Sequence, residues 1–294
     1  MRFKNVTIFG GLLLAFSLAS CNSDTGIDTK DGIYYELLNN NTYEIKVDGT
    51  FKNEEFVVPT SFKKKSVTSI GDQAFKDQKK IKHVKLHDGI TTIEKNAFAS
   101  SGILDLDITS GVTYIGDFAF YDCDSLTEIS IPSSVLNIGY GLFINCDNLK
   151  TVNLPDSFKK ISWGMFDMCK SLDFTIPDSV NEIEGFAFRG NSMNEVLIPG
   201  SVKVLGRRAY ANCNNLIKVK FEEGVEVLGD ELFYDSNKLQ EVFLPSSIKT
   251  VGENSLYGNQ LVITFNGTKE LFNELNVKLS SGSLVKCTDG DINI

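Results

Sequence analysis

The sequence predicts a β-rich solenoid: a stack of 22–23-residue coils, each built from two short parallel strands and a 3₁₀ or helical corner, with a cap at each end. Three ladders predict it. A phrase of the form Ile-Gly-x-x-Ala-Phe recurs along most of the 294 residues. Its closing residue falls at Phe75, Phe98, Phe120, Phe143, Phe166, Phe188, Tyr210, Phe233 and Leu256, at intervals of 23, 22, 23, 23, 22, 22, 23 and 23. Prolines at 132, 155, 177, 199 and 245 mark the middle of the unit, with Thr109 and Glu222 in the equivalent places. Cys123, Cys146, Cys169, Asn191 and Cys213 open successive units. A fixed period of this size means one supersecondary unit written many times.

The elements follow in chain order. Residues 1–20 carry Arg2 and Lys4, then the thirteen-residue apolar run 6–18, and read as an export signal. That run is shorter than the roughly 20 residues a bilayer-spanning helix needs. Leu18-Ala19-Ser20-Cys21 resembles the bacterial lipobox. The resemblance implies cleavage before Cys21 and lipidation of its thiol, so the mature chain would be held to a membrane by an N-terminal lipid anchor alone. Residues 21–30 are small and polar and suit a flexible tether. Residues 31–53 read as an N-terminal β cap, with strands over 33–38 and 42–47 across Asn39-Asn40-Asn41 and a turn at Asp48-Gly49.

Residues 54–258 form the array. In the unit 123–145, Ile129 and Ile131 alternate as one face of a strand does, and Pro132, which lacks a backbone donor, ends it. A second extended segment runs from Val135 to Ile138; Gly139 permits a turn, and Leu142-Phe143 fits a short corner. One coil leaves both flat faces wet, so stability comes from neighbours and the array must be continuous. Residues 259–294 read as the C-terminal cap: a strand with Ile263 and Phe265, a short helix over 268–275, and a closing strand at Leu284-Val285.

Units of the type Cys-x-x-Leu-x-x-Ile-x-Ile-Pro-x-x-Val-x-x-Ile-Gly-x-x-Ala-Phe resemble the BspA-like, or Treponema-type, leucine-rich repeats of bacterial surface proteins. The resemblance covers the array and reaches the flanks at 31–35 and 263–270. Departures are small: Gln78 opens its unit, residues 213–235 lack the proline, and Phe272 stands where such endings often carry Trp. The resemblance implies a leucine-rich repeat fold and an adhesin-like, surface-exposed lipoprotein of the bacterial envelope, at the outer membrane, binding host matrix proteins or other bacteria.

Chemistry is sparse. His83 and His87 are the only histidines, and on one strand their rings would lie about 13 Å apart, too far for one ion. The array cysteines share one inward-facing place and read as buried free thiols, and Cys287 carries no catalytic role either. Carboxylates at Asp105, Asp107, Glu128, Asp173, Glu195 and Glu241 read as a solvated strand face; calcium between the first three is the sharper alternative. The expectation is a protein with no catalytic residues, no metal and no cofactor. Formal net charge is −9, and loss of Arg2 and Lys4 with residues 1–20 takes it to −11, a sign that repels nucleic acid.

The variable pair after the repeat's glycine supplies the candidate binding residues: Phe118, Tyr140, Trp163 and Phe186 in four successive units, then Arg207 and Arg208. Projecting from the turns, they would form an aromatic ridge about 15 Å long across three coil spacings. Exposed aromatics and Arg anchor protein partners and also stack on sugars. A protein partner is the first expectation, with glycan capture by a surface lipoprotein and a purely structural envelope spacer as alternatives.

Overall fold

The computed structural model describes residues 26–28 and 31–294; the expected export signal, residues 1–20, and Cys21 lie outside the described residues. The expected solenoid forms, and its interior is one continuous apolar cluster from Tyr35 to Val285. Each coil contributes to two ladders of parallel strands and one ladder of corners.

The corner carries the stack. Its backbone alternates between closing short turns and reaching the next coil. Ala74, Lys76 and Gln78 donate to Gly71, Gln73 and Phe75 three residues back, while Gln73, Phe75 and Asp77 donate to Lys95, Ala97 and Ala99 of the next coil. The i→i+3 closures are those of the 3₁₀ corner the sequence predicts, but the alternation requires two left-handed residues per coil. These fall two and six residues after the repeat's glycine position, as at Gln73 and Asp77, Phe118 and Asp122, Gly141 and Asn145, Gly164 and Met168, and Phe186 and Gly190. Every coil-to-coil step from Gln73 to Tyr234 keeps three such bonds.

The closing aromatics stack beneath this ladder. Ring centroids are 5.2 Å apart for Phe75 and Phe98, 5.5 Å for Phe98 and Phe120, 5.7 Å for Phe120 and Phe143, and 5.8 Å for Phe143 and Phe166, nearly parallel throughout. From Cys123 to Ser236 the residue opening each unit bonds the carbonyl of a closing residue 25 or 26 positions back. Cys123 Sγ donates to Phe98 O (3.1 Å), Cys146 to Phe120 O (3.0 Å), Cys169 to Phe143 O (3.0 Å), Asn191 Nδ2 to Phe166 O (2.7 Å), Cys213 to Phe188 O (3.3 Å) and Ser236 Oγ to Tyr210 O (2.8 Å). A small donor at this place meets a buried acceptor, which is why Cys, Asn and Ser interchange there. The thiols are free, and burial raises all four, Cys123 and Cys213 to about 12.

Both strand ladders are interrupted while the corners are not. One runs from Lys65–Ile70 through Thr92–Ile93 and Tyr114–Ile115 to Asn137–Ile138 and restarts at Lys160–Ile161. The interruption falls where half-buried Phe158 takes the place of the buried β-branched residues Val135 and Val180. A larger ring in that slot holds the two coils apart. The other ladder pairs Glu55–Val57 with His83–Lys85, thins to a single bridge at Asp105, restarts where Glu128–Ser130 pairs with Thr151–Asn153, skips residues 173–176 and resumes at Glu195–Ile198. The skipped coil has three residues between Leu172 and Ile176 where its neighbour has four between Leu149 and Leu154, so its alternation falls out of step. Phe174 turns inward there, 5.0 Å from Phe166 and 5.9 Å from Phe188.

The caps are fuller than the sequence predicts. Ile33–Leu37 and Tyr43–Val47 pair antiparallel, and the second joins Lys65–Ile70 in parallel with a register shift at Tyr43/Glu44. Residues 26–28 depart from the tether expectation: Gly26–Asp28 pairs antiparallel with Ile33–Leu37, whose open edge offers unpaired backbone groups. At the far end Thr268 caps the helix Lys269–Glu274, Phe272 packs 5.4 Å from Phe265, and Leu284–Cys287 folds back on Gly290–Asn293.

Two substitutions grade the corner. Gly164 has φ +59 and a Cβ there would make only ordinary contacts, the nearest Ile144 Cδ1 at 3.4 Å, whereas a Cβ on Gly141, at φ +60, meets the Phe118 ring at 2.5 Å. Gly164→Ala should cost about 1–2 kcal/mol of unfolding free energy in urea, and Gly141→Ala more; equal, negligible losses would remove the left-handed requirement. The thiols set a pH dependence. Their pKa values are raised on folding, so their contribution is complete below the unfolded thiol value, about 8.5, and is lost as pH climbs through about 12. Urea midpoints should therefore fall progressively above that unfolded value, and iodoacetamide at neutral pH should modify Cys146 only after unfolding.

Candidate functional site

The residues after the repeat's glycine stand on the rigid corner, in two registers. Tyr140 and Trp163 precede the left-handed glycines 141 and 164, while Phe118, Phe186 and Arg208 themselves take the left-handed conformation, at φ 56, 60 and 56. Left-handed backbone is uncommon for bulky side chains, and here the corner ladder imposes it. Neighbouring carboxylates fix the first register. Asp117 Oδ1 accepts from Tyr140 N (2.9 Å) and Glu184 Oε2 from Trp163 N (2.7 Å).

Four of the expected residues come together and two do not. Phe118, Tyr140 and Trp163 line an open groove of about 520 Å³ with Glu182 and Glu184 at its side and Gly185 and Gly206 beneath. Tyr140 is 56% and Trp163 39% exposed, so both rings are presented to solvent. Gly185 makes room: a Cβ there would stand 3.6 Å from Trp163 Cδ1 and 3.0 Å from Arg207 O. Phe186 lies behind the groove, 5.6 Å from Trp163. Its other contact is the Arg189 guanidinium, 5.1 Å from the ring. Arg189 in turn makes a bidentate pair with Asp167, at 2.8 and 2.6 Å. Burial raises the Asp167 carboxyl and Arg189 opposes the shift.

Arg207 and Arg208 stand apart from the groove, drawn to Glu231 one coil on. Arg207 reaches Glu231 Oε2 at 2.9 and 2.6 Å, and Arg208 spans both carboxylate oxygens at 3.0 and 3.1 Å. The two guanidinium groups, Arg208 first, hold the Glu231 carboxyl below the usual range. Arg208 also lies 4.7 Å over the Tyr234 ring. A residue-type scan misses Glu182, Glu184 and Gly185; the signal for Glu184 was its place where most coils carry the repeat's glycine.

The remaining polar groups are dispersed. His83 Nδ1 lies 3.1 Å from Asp105 Oδ1, whereas His87 Nε2 lies 3.2 Å from Pro59 O, so the two rings serve different partners. Among the described residues no three His, Cys, Asp or Glu side chains gather as a metal site, Asp105, Asp107 and Glu128 included.

A family model described as a BspA type leucine-rich repeat region matches residues 47–173 and 165–274. Among solved structures, the leucine-rich repeat protein of T. pallidum is 23% identical, covering 71% of this chain and 89% of its own, with a TM-score of 0.52. A leucine-rich repeat protein from Bacteroides ovatus is 19% identical over 90% of this chain and 100% of its own, TM-score 0.45. The pneumococcal vaccine antigen PcpA is 17% identical over 89% and 98%, TM-score 0.49. These likenesses concern the fold. No curated protein matches the chain.

The support behind Trp163 is testable. Arg189→Ala strands the buried Asp167 carboxylate and removes the cation behind Phe186. It should lower unfolding free energy by about 1–3 kcal/mol and shift the emission of Trp163, the single tryptophan, to the red. Unchanged emission would mean that Trp163 is held by other contacts.

Proposed function

The chain belongs to the BspA-type leucine-rich repeat family, and on that premise we propose that it is a lipid-anchored binding protein of the bacterial cell surface, adhesin-like, that docks a protein partner at the groove of Phe118, Tyr140 and Trp163. One observation carries this reading. Two large aromatic rings stand exposed side by side on backbone that the stack holds rigid. Exposed, preorganised aromatics are the side chains that most often dominate protein interfaces, because little conformational entropy is lost when they are covered. A sequence that begins with a basic, apolar and lipobox-like segment supports delivery of that surface to the outside of the membrane.

The test has two arms. Protease treatment of intact cells should remove the array, and Cys21→Ser should release it from the membrane fraction. On immobilised extracellular-matrix proteins and a glycan array, the wild-type chain should be retained on a protein. Tyr140→Ala/Trp163→Ala, with an unchanged unfolding midpoint, should lose about tenfold or more of that retention. Retention on oligosaccharides alone would favour glycan capture, and full retention by the double variant would place docking elsewhere on the coils.

A further inference from the structure

The groove is as notable for its charge as for its rings. Glu184 is spoken for: its Oε1 accepts from Lys160 Nζ at 2.7 Å and its Oε2 from Trp163 N at 2.7 Å. Glu182, two residues earlier at the start of the strand Glu182–Ile183 and beside Lys160 in register, makes no side-chain hydrogen bond or ion pair among the described residues and only shares the field of the Lys160 ammonium that Glu184 already holds. Asp117, which holds Tyr140 N, likewise faces no cation within ion-pair distance. The groove and its supports therefore hold three carboxylates against one ammonium. The three guanidinium groups of the adjoining coils are occupied, Arg189 by Asp167 and Arg207 and Arg208 by Glu231. The same sign extends over the surrounding coils, where residues 101–190 contain thirteen Asp and Glu against five Lys and Arg, a net −8.

Aromatic faces beside an uncompensated carboxylate are the chemistry of cation recognition. The negative faces of Tyr and Trp rings attract an ammonium or guanidinium group, and a carboxylate at the rim adds a charge-assisted hydrogen bond. Neutral sugars gain from the rings but not from the surplus charge. Gly185 matters as well, since a Cβ there would stand 3.6 Å from Trp163 Cδ1, at the edge of the groove. We propose that the Phe118–Tyr140–Trp163 groove takes a lysine or arginine side chain of a basic segment on the protein partner, with the alkyl stem along the rings and the charged head at Glu182. This deepens the docking reading above and rests on it.

Trp163 makes the site observable, being the only tryptophan in the chain. The full chain in detergent is titrated with the end-blocked peptide Gly-Gly-Lys-Gly-Gly, its arginine counterpart, and the same peptide carrying Nε-acetyl-lysine. The expected result is a saturable change in Trp163 emission with the two cationic peptides at millimolar concentration and none with the neutral one. Glu182→Gln, which keeps size and removes charge, should weaken the response about three- to thirtyfold, as should Tyr140→Ala. Unfolding midpoints of both variants confirm that the scaffold is intact. Equal responses to charged and acetylated peptides, or an unchanged response in Glu182→Gln, would overturn the assignment, as would a response to maltoheptaose alone. If a matrix protein is captured through Tyr140 and Trp163 while the cationic peptides leave the emission unchanged, the cation assignment falls and the docking reading stands.

Discussion

The structure depends on one constraint, that alternate backbone N–H groups of each corner donate to the next coil while those between them close turns within their own. That alternation cannot be made by right-handed backbone alone. It demands a left-handed residue on either side of the closing aromatic, and in return gives three hydrogen bonds per step from Gln73 to Tyr234. The aromatic between them is thereby aimed inward, which produces the parallel ring stack, and its carbonyl is left to be met by the Cys, Asn or Ser of the following coil. Backbone, ring and thiol ladders are three consequences of one geometry.

Dependence on the corners explains why the solenoid survives interruptions in both strand ladders. A repeat array is held by nearest-neighbour contacts, so a coil that loses one strand pairing keeps its place if another ladder stays closed. Phe158 opens one sheet and the shortened coil after Leu172 opens the other, yet Gly141, Phe143 and Asn145 still donate to Trp163, Met165 and Asp167, and Gly164, Phe166 and Met168 to Gly185, Ala187 and Arg189. The aromatic groove straddles this same stretch. Its rings are mounted on the one ladder that does not yield, so the scaffold can vary at the strands without moving the surface it presents.

Much of the fold was legible in the sequence because the period repeats a physical demand: a buried ring, a strand terminator and a small donor recur wherever a coil must stack. The left-handed corner positions were not legible. Gly141, Gly164 and Gly190 signal them, but Phe118, Phe186, Met168 and Glu231 occupy the same backbone region with no residue-type cue. Nor was the hairpin turn at Lys63-Lys64, where both residues have positive φ without the usual Asn or Gly. At the site, the spacing puts Phe118, Tyr140 and Trp163 on successive coils, where all three line one groove, since neighbours on a stack follow from period alone. It could not place Phe186 behind Trp163, or show that Arg207 and Arg208 turn to Glu231, because those outcomes depend on which side of the left-handed residue each side chain leaves the backbone.

Native-state amide hydrogen exchange measures the corner ladder directly. The account predicts that Phe98, Phe120, Phe143, Phe166, Phe188 and Tyr210 amides are among the slowest to exchange, with Phe143 and Phe166 as protected as the rest although each bridges a step at which one strand ladder is broken. Exchange of Phe143 and Phe166 at loop-like rates, with the coils before and after them opening as separate units, would contradict it.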